Sequence, residues 1–529
     1  MAGIVKVVFD EAKIDAIFAD VDRSDLPGAA VGIAIDGKPV YRKGFGLASL
    51  ELPVTLSPHI RMRIGSTTKH FAALAFMLLC ESKQADLDDP IGRYLPELHP
   101  ATASATIRHL LGHIAGVRDV FNMCWTFGGR GRRITSEELL AEYRTIDDVS
   151  SAPRETWMYN NGGYLLVSTA VERITGQSLE NVLRERIFEP VGMHDTLLRR
   201  FDDDFVPNSA MCHVKNADGT YSKGTLGTAI GGEGGIVSTV DDMLRWLAHM
   251  DAPVVGTTAS WTSIKTPQTL RNGTSTEYGL GLTSAPYRGA RMLRHGGGVA
   301  GGNSEMLKIP DAKLDLAIMV NRDDVLAHDF GERVLDACLT NLTPFATFRV
   351  RTPISAVYRS TSSEHVAELS ERDGRQFFEL DALEIEMESD RDGVLRPVGR
   401  YRFAKIAVKP SDASARPASI QVSHFGNIEN FATETRAQEA DSDAIAGKYQ
   451  SKSAGIHATV SAQGGVPELV AANRYGTAVF ALQPLIRGVW KAQAKASTLI
   501  GGIITFSGDN NEFRFSNSNT LSLPFRRVA

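Results

Sequence analysis

Near residue 345 the chain changes its pattern of apolar residues, and this change limits the folds open to it more than any other feature. Before it, apolar residues recur at helical spacing or in long apolar runs. After it, short alternating segments appear, such as Arg400-Tyr401-Arg402-Phe403. The two periods bury different faces of the backbone, so the first predicts helices and the second strands. At 529 residues the chain is too long for one hydrophobic core, and the change marks a domain boundary.

Ile14, Ile17, Phe18 and Val21 predict an amphipathic helix over residues 9–22. The runs AAVGIAI and VYRKGFGLAS flank Asp36-Gly37, a short-turn signal for a β-hairpin. From Ser66 onward KHFAALAFMLL predicts a buried helix, with further helices over 162–192 and 236–250 and strands around glycine turns over 278–320. Helices interleaved with hairpins imply α+β packing rather than a doubly wound sheet. Residues 409–444 are rich in Ser, Ala, Asp and Glu and read as a connection or a long excursion between strands. Strand-like pieces resume beyond Ile445. The expected division is a large domain over 1–341 and two small β domains over 342–430 and 431–529.

Charge and composition narrow the function classes. Lys plus Arg number 57 against 62 Asp plus Glu, a net charge of −5 with no long basic block, which argues against a nucleic-acid surface. The first residues lack the basic start, long apolar centre and cleavage site of a secretory signal. No run of eighteen apolar residues predicts a membrane span. Cys80, Cys124, Cys212 and Cys338 are far apart and form no CxxC pair, so a reduced, cytoplasmic protein with inert thiols is expected.

Three short motifs carry chemistry. Ser66-Thr67-Thr68-Lys69 opens the apolar helix, and residues three apart share a face, so the Lys69 amine can approach the Ser66 hydroxyl. A serine hydroxyl needs a base beside it to act as a nucleophile, and a lysine serves once burial lowers its pKa. Taken alone, Ser66 is equally well a helix cap and Lys69 a solvated charge. Against that, this S-x-x-K occurs once in the chain and leads an apolar helix where an unused lysine is out of place. Tyr159-Asn160-Asn161 offers a phenol to relay a proton and an amide, Asn161, to hold Lys69 and a substrate carbonyl; it is also a turn sequence. In Arg294-His295-Gly296-Gly297-Gly298, glycines let substrate lie against a strand edge, and the Gly298 N–H with that of Ser66 would form an oxyanion hole. His295 by itself reads as a surface histidine before a flexible turn. His109 and His113 have metal-ligand spacing but no third ligand nearby, so neither a metal nor an organic cofactor is expected.

Ser-x-x-Lys, then Tyr-x-Asn, then His-x-Gly, in this order, resembles the penicillin-recognising serine hydrolases, in the branch near class C β-lactamases, D-alanyl carboxypeptidases and related esterases. Leu110-Leu111-Gly112-His113-Ile114-Ala115-Gly116, Ile187-Phe188-Glu189-Pro190-Val191-Gly192-Met193 and Gly234-Gly235-Ile236-Val237-Ser238-Thr239 match further segments of that family, so the resemblance covers about residues 25–340. It implies an antiparallel sheet flanked by helices, with Ser66, Lys69, Tyr159 and His295 as catalytic residues. Which of Lys69 and Tyr159 is the base stays open. His295 would hold Tyr159 or the leaving group with a pH-dependent charge.

The C-terminal extension makes the chain similar to bacterial D-aminopeptidases, in which two antiparallel β-barrels follow the catalytic domain and a loop of the last barrel enters the cleft. Gly447–Ser451 resembles the opening strand of that barrel, and residues 472–480, with Asn473, Arg474, Tyr475 and Gly476, stand where the intruding loop would be. The resemblance implies a small or short-peptide substrate with a free N-terminal D-residue, and a homodimer. A free ammonium calls for an acid in the cleft, and Glu233, among glycines, is the candidate. Pro153-Arg154-Glu155 departs from the family pattern, and the insertion Trp125–Arg133 is expected to reshape the cleft rim. An esterase or D,D-carboxypeptidase of the same family, and a non-catalytic binding protein on this fold, are the alternatives.

Overall fold

Asp36 and Gly37, both at positive φ, turn the chain between strands Ala29–Ile35 and Lys38–Phe45, the backbone that a tight hairpin requires. This hairpin forms one edge of a six-stranded antiparallel sheet. Its order is Thr283–Tyr287, Ala290–Val299, Gly302–Ile309, Leu314–Val320, Ala29–Ile35 and Lys38–Phe45. The computed structural model describes residues 5–345, 353–398, 405–437, 442–462, 466–496 and 500–528.

Helices cover both faces of the sheet. Ile14, Ile17 and Phe18 of helix Glu11–Phe18 pack with Phe330, Val334 and Leu335 of helix Ala327–Cys338 on one face. On the other, helix Val240–His249 lies so close that a Cβ on Gly32 would meet Val240 at 2.3 Å. Beyond it the Lys69–Glu81 helix packs against Asn161–Thr175 and Thr258–Lys265, and is buried along almost its whole length. The helix expected over 236–250 begins as a strand, Ile236–Ser238, and becomes helical at Val240, where the Thr239 hydroxyl accepts from the Asp242 amide as an N-cap.

After residue 345 the chain forms two closed antiparallel barrels of eight strands, the first running from Ala356 to Glu434 and the second from Gly447 to Val528. The segment expected to be a connection contributes the last two strands of the first barrel, Ser419–His424 and Asn427–Glu434. A barrel strand needs only every second residue apolar. Ile420, Val422 and Phe431 point inward here while Gln421, Asn430 and their neighbours face out, which gives the segment its polar composition. The expected junction at 430/431 therefore falls within a strand. Arg400–Phe403 lies outside the described residues. Among the described residues no helix is long and apolar enough to cross a membrane. The four cysteines are unpaired, and burial holds each thiol above its ordinary pKa, the state in which it is unreactive.

The two barrels dock on the N-terminal domain in different ways. Phe127, fully buried in the inserted segment, plugs the second barrel with its ring 5.1 Å from Phe515 and 6.0 Å from Phe525. The insertion expected at the cleft rim is thus a plug that joins the barrel core to that of the N-terminal domain. The first barrel reaches the domain through the turn between its last two strands. Phe425 stacks on Trp157 at 4.0 Å, and Asn427 exchanges two hydrogen bonds with the Trp157 backbone. Removing the plug by Phe127→Ala should cost about 3–5 kcal/mol, as for other buried phenylalanines. The expected outcome is release of the second barrel, seen as a lower urea midpoint and faster proteolysis within 442–528.

Candidate active site

A turn of 3-10 helix, Gly65–Thr68, precedes the α-helix that begins at Lys69. Ser66 and Lys69 are one turn apart on one face, and the Lys69 amine lies 3.1 Å from Ser66 Oγ. Three contacts hold the turn against the sheet. The Thr67 hydroxyl donates to the His295 carbonyl (3.0 Å), the Ser304 hydroxyl donates to the Ile64 carbonyl (2.8 Å), and the two hydroxyls meet at 3.1 Å. The approach is so close that a Cβ on Gly297 would stand 1.8 Å from the Ile64 oxygen, so only glycine fits there. Gly298 lies beside the same turn, its amide nitrogen 2.6 Å from where a Gly65 Cβ would be, and its own α-carbon faces open space.

Lys69 is fully buried. Besides Ser66 its amine donates to Asn161 Oδ1 (2.8 Å) and to the Glu233 carbonyl (2.6 Å), and it sits 4.7 Å from the Tyr159 ring centre. Burial drives its pKa well down, while the charges of Glu233 and Asp119 act in the opposite direction. The three partners suit both protonation states: an ammonium donates to all three oxygens, whereas in the neutral amine two N–H groups satisfy Asn161 Oδ1 and the Glu233 carbonyl, which can only accept, and the lone pair is left for the Ser66 hydroxyl. Tyr159 hydrogen-bonds the same hydroxyl, and burial raises its phenol above the ordinary range. Tyr159 is placed by its neighbours. The Asn160 amide donates to His113 Nδ1 (3.1 Å), and the His113 ring lies 4.4 Å from that of Tyr159.

Asp119 and Tyr278 have no counterpart in the motif reading. Buried Asp119 caps helix Val120–Thr126 and accepts from the amides of Asn161 (2.9 Å) and Gly162 (3.2 Å), which locks the start of the Asn161 helix in place. Tyr278, also buried, shares a hydrogen bond of 2.9 Å with His295 Nε2, while His295 Nδ1 faces the Gly296 carbonyl at 2.6 Å. Of the partners expected for His295, Tyr159 or the leaving group, neither is bonded to it here; its Nε2 meets Tyr278. A ring that donates from Nδ1 to a carbonyl keeps Nε2 as an acceptor for the Tyr278 hydroxyl. Burial first, and the Lys69 charge second, bring the His295 pKa down to about 3, so the expected pH-dependent charge is absent near neutrality.

The structure also places Glu233 and the 472–480 loop. The Glu233 carboxylate is buried close enough to Lys69 for their charges to act on each other: Oε1 accepts from the Gly231 amide (2.6 Å), Oε2 has no partner among the described residues, and burial raises its pKa. What Glu233 gives the site is its backbone carbonyl on Lys69. Asn473, Arg474, Tyr475 and Gly476 meet the inserted segment and helix Ser136–Glu142 instead of Ser66. Tyr475 donates to Glu142 (2.8 Å), Arg474 to the Glu138 carbonyl (2.7 Å), and a Cβ on Gly476 would meet the Gly128 backbone at 2.1 Å. A cavity of about 270 Å³ beside Tyr159 and His295 is walled on one side by the first barrel, through Phe425 and Lys405.

The beta-lactamase family profile matches residues 14–339, which hold every element of this constellation. The chain belongs to the beta-lactamase family. It is 28% identical over 302 residues to a D-aminopeptidase of Brucella anthropi, a stretch that is 56% of this chain and 56% of that relative. Over 323 residues it is 27% identical to the D-aminopeptidase of Brucella canis, covering 59% of this chain and 60% of the relative. Among solved structures, the octameric penicillin-binding protein homologue from Pyrococcus abyssi shares the fold with a TM-score of 0.58 at 22% identity, over 80% of this chain and 100% of the other. D-amino acid amidase from Ochrobactrum anthropi SV3, complexed with D-phenylalanine, has a TM-score of 0.53 at 24% identity, over 62% of this chain and 98% of the other.

Within this beta-lactamase-family site the neutrality of His295 is directly measurable. Histidine ring nitrogen chemical shifts followed from pH 8 to pH 4 should show His295 uncharged throughout, because its folded pKa lies below that window. A His295 transition near pH 6.5 would mean that its ring is solvated rather than buried against Tyr278.

Proposed function

We propose that this chain is a serine hydrolase that releases an N-terminal D-amino acid from D-peptides, amides or esters through an acyl-enzyme on Ser66. The observation that carries the hydrolase reading is the buried Lys69 amine, which is bonded to two fixed acceptors and aims its remaining valence at Ser66 Oγ. The D-residue rests on the D-aminopeptidase relatives, whose matched stretch is about the extent of the family domain.

In this mechanism Lys69, neutral through burial, takes the Ser66 proton as Oγ bonds to the substrate carbonyl carbon. Tyr159, a phenol at neutral pH, is the proton carrier between Lys69 and the departing amine as the C–N bond breaks. The carbonyl oxygen, negative in the tetrahedral intermediate, lies between the N–H groups of Ser66 and Gly298, preorganised by the close approach of Gly297 to Ile64 and of Gly298 to Gly65. Asn161 holds both Lys69 and the substrate. Water then attacks the acyl-enzyme with the same pair as base, and the reaction uses neither metal nor organic cofactor. Four unpaired cysteines fit a cytoplasmic setting.

One observation favours a second reading. The Glu233 carboxylate is buried and one of its oxygens is already engaged by the Gly231 amide, which suits an esterase or a D,D-carboxypeptidase of the family, whose substrates present no ammonium to it. Hydrolysis of D-alanine, L-alanine and N-acetyl-D-alanine p-nitroanilides decides between them. The D-aminopeptidase reading expects cleavage of the free D-compound alone, whereas indifference to the amino group or activity on esters only selects the second.

Ser66→Ala, Lys69→Ala and Tyr159→Phe should each lose activity by several orders of magnitude without adding to one another, because the three act as one unit. In the wild type, kcat/KM should rise with pH as Lys69 loses its proton, with a midpoint well below the 10.5 of a free lysine. A midpoint near that value, or additive modest losses, would reassign the base.

A further inference from the structure

The cavity beside Tyr159 and His295 has walls from two domains. Trp157, Tyr159, Tyr278 and Met292 come from the N-terminal domain, and Phe425 from the first barrel. Its cations already have partners. Lys405 pairs with Glu277 (3.1 Å) and Arg294 with Glu305 (2.5 Å), so the cavity offers ring and thioether surface rather than net charge. At about 270 Å³ it falls just under the usual range of ligand pockets, about 300–1,000 Å³, and has room for one side chain rather than an extended peptide.

Phe425 stands out in its local setting. It and Gly426 are the two central residues of the turn between His424 and Asn427, both at positive φ, 45° and 83°. A two-residue turn of this kind prefers Asn-Gly, and a bulky aromatic at positive φ is an outlier. The turn has seats besides the stack of Phe425 on Trp157. Asn427 bonds the Trp157 backbone at both ends, and the Gly426 carbonyl accepts from Thr274 (2.5 Å) and Asn272 (3.3 Å). Local structure thus argues for Asn at 425, and the ring is accounted for by what it faces.

We propose that this cavity is the leaving-group subsite, that Phe425 is its specificity-determining wall, and that it takes a departing residue with an aromatic or large apolar side chain. The assignment rests on the acyl-enzyme reading. There Tyr159 gives its proton to the departing amine, so that amine and its substituent lie on the Tyr159 side, where the cavity opens. The preferred substrate is a peptide whose second residue is aromatic, rather than a primary amide.

The experiment compares D-alanyl-L-phenylalanine with D-alanylglycine, whose amines are of similar basicity, in the wild type and in Phe425→Asn and Phe425→Leu. The wild type should favour the phenylalanine peptide roughly tenfold or more in kcat/KM, and Phe425→Asn should remove most of that preference, read as the ratio of the two peptides within each variant. Phe425→Leu, which keeps apolar bulk, should retain part of it. Thermal unfolding of each variant separates this from misfolding, since Asn suits the turn. Equal losses on both peptides, or a preference that survives in Phe425→Asn, overturn the proposal. Benzyl and ethyl acetate, run in parallel, separate the subsite from the aminopeptidase reading. If neither peptide is cleaved but benzyl acetate is preferred through Phe425, the subsite stands and the amine reading falls. If the ester preference also ignores Phe425, the subsite falls.

Discussion

Removal of the Lys69 amine from water is the constraint on which the rest of the structure depends. An isolated ammonium in an apolar interior is costly, and such a lysine lowers its pKa and turns neutral. Around Lys69 the chain supplies two acceptors that cannot reverse, Asn161 Oδ1 and the Glu233 carbonyl, and one hydroxyl that can. Each is held by a different element. Asn161 is fixed at its helix start through Asp119, Glu233 by its own glycine loop, and Ser66 by the turn stapled to the sheet through Thr67, Ser304 and Ile64. The apolar helix that begins at Lys69 excludes water from the group, and the sheet brings Gly297 and Gly298 against the serine turn.

The aromatic layer around this centre carries the same logic outward. His113, Tyr159, Tyr164, Tyr278 and Trp157 lie within ring contact of one another, and in so dry a layer a charge is costly. His295 shows the consequence. Surrounded by rings and the Lys69 amine, it stays neutral and becomes a hydrogen-bonding link between Tyr278 and its own strand. The barrels extend the layer. One inserts Phe425 over Trp157 beside the cavity, and the other is pinned by Phe127 and bonds, through Thr520, Asn122 of the helix that Asp119 caps.

Much of the site was legible in the sequence because its residues lie close together or in marked local contexts. A serine and a lysine one turn apart, a tyrosine two residues before an asparagine, and a histidine before three glycines each identify themselves. Asp119 and Tyr278 do not. Asp119 reads as an ordinary N-cap, and its second task, bonding the start of another helix, joins positions 42 residues apart. Tyr278, in Glu277-Tyr278-Gly279, belongs to no periodic run. The hairpin carrying Phe425 left a signal in the alternation of Ile420, Val422 and Phe431 around a glycine turn, masked by the polar residues that face out from a barrel.

By itself the sequence determined the α+β class of the N-terminal domain, the change to β structure near residue 345 and the family motifs, because periodicity and short-range spacing act within a few residues. Tertiary structure alone decided which barrel meets the cleft, which way Glu233 turns, and that His295 pairs with Tyr278. These outcomes depend on burial and on contacts between segments hundreds of residues apart, such as Trp157 with Asn427. No local pattern encodes how such surfaces compete for one another.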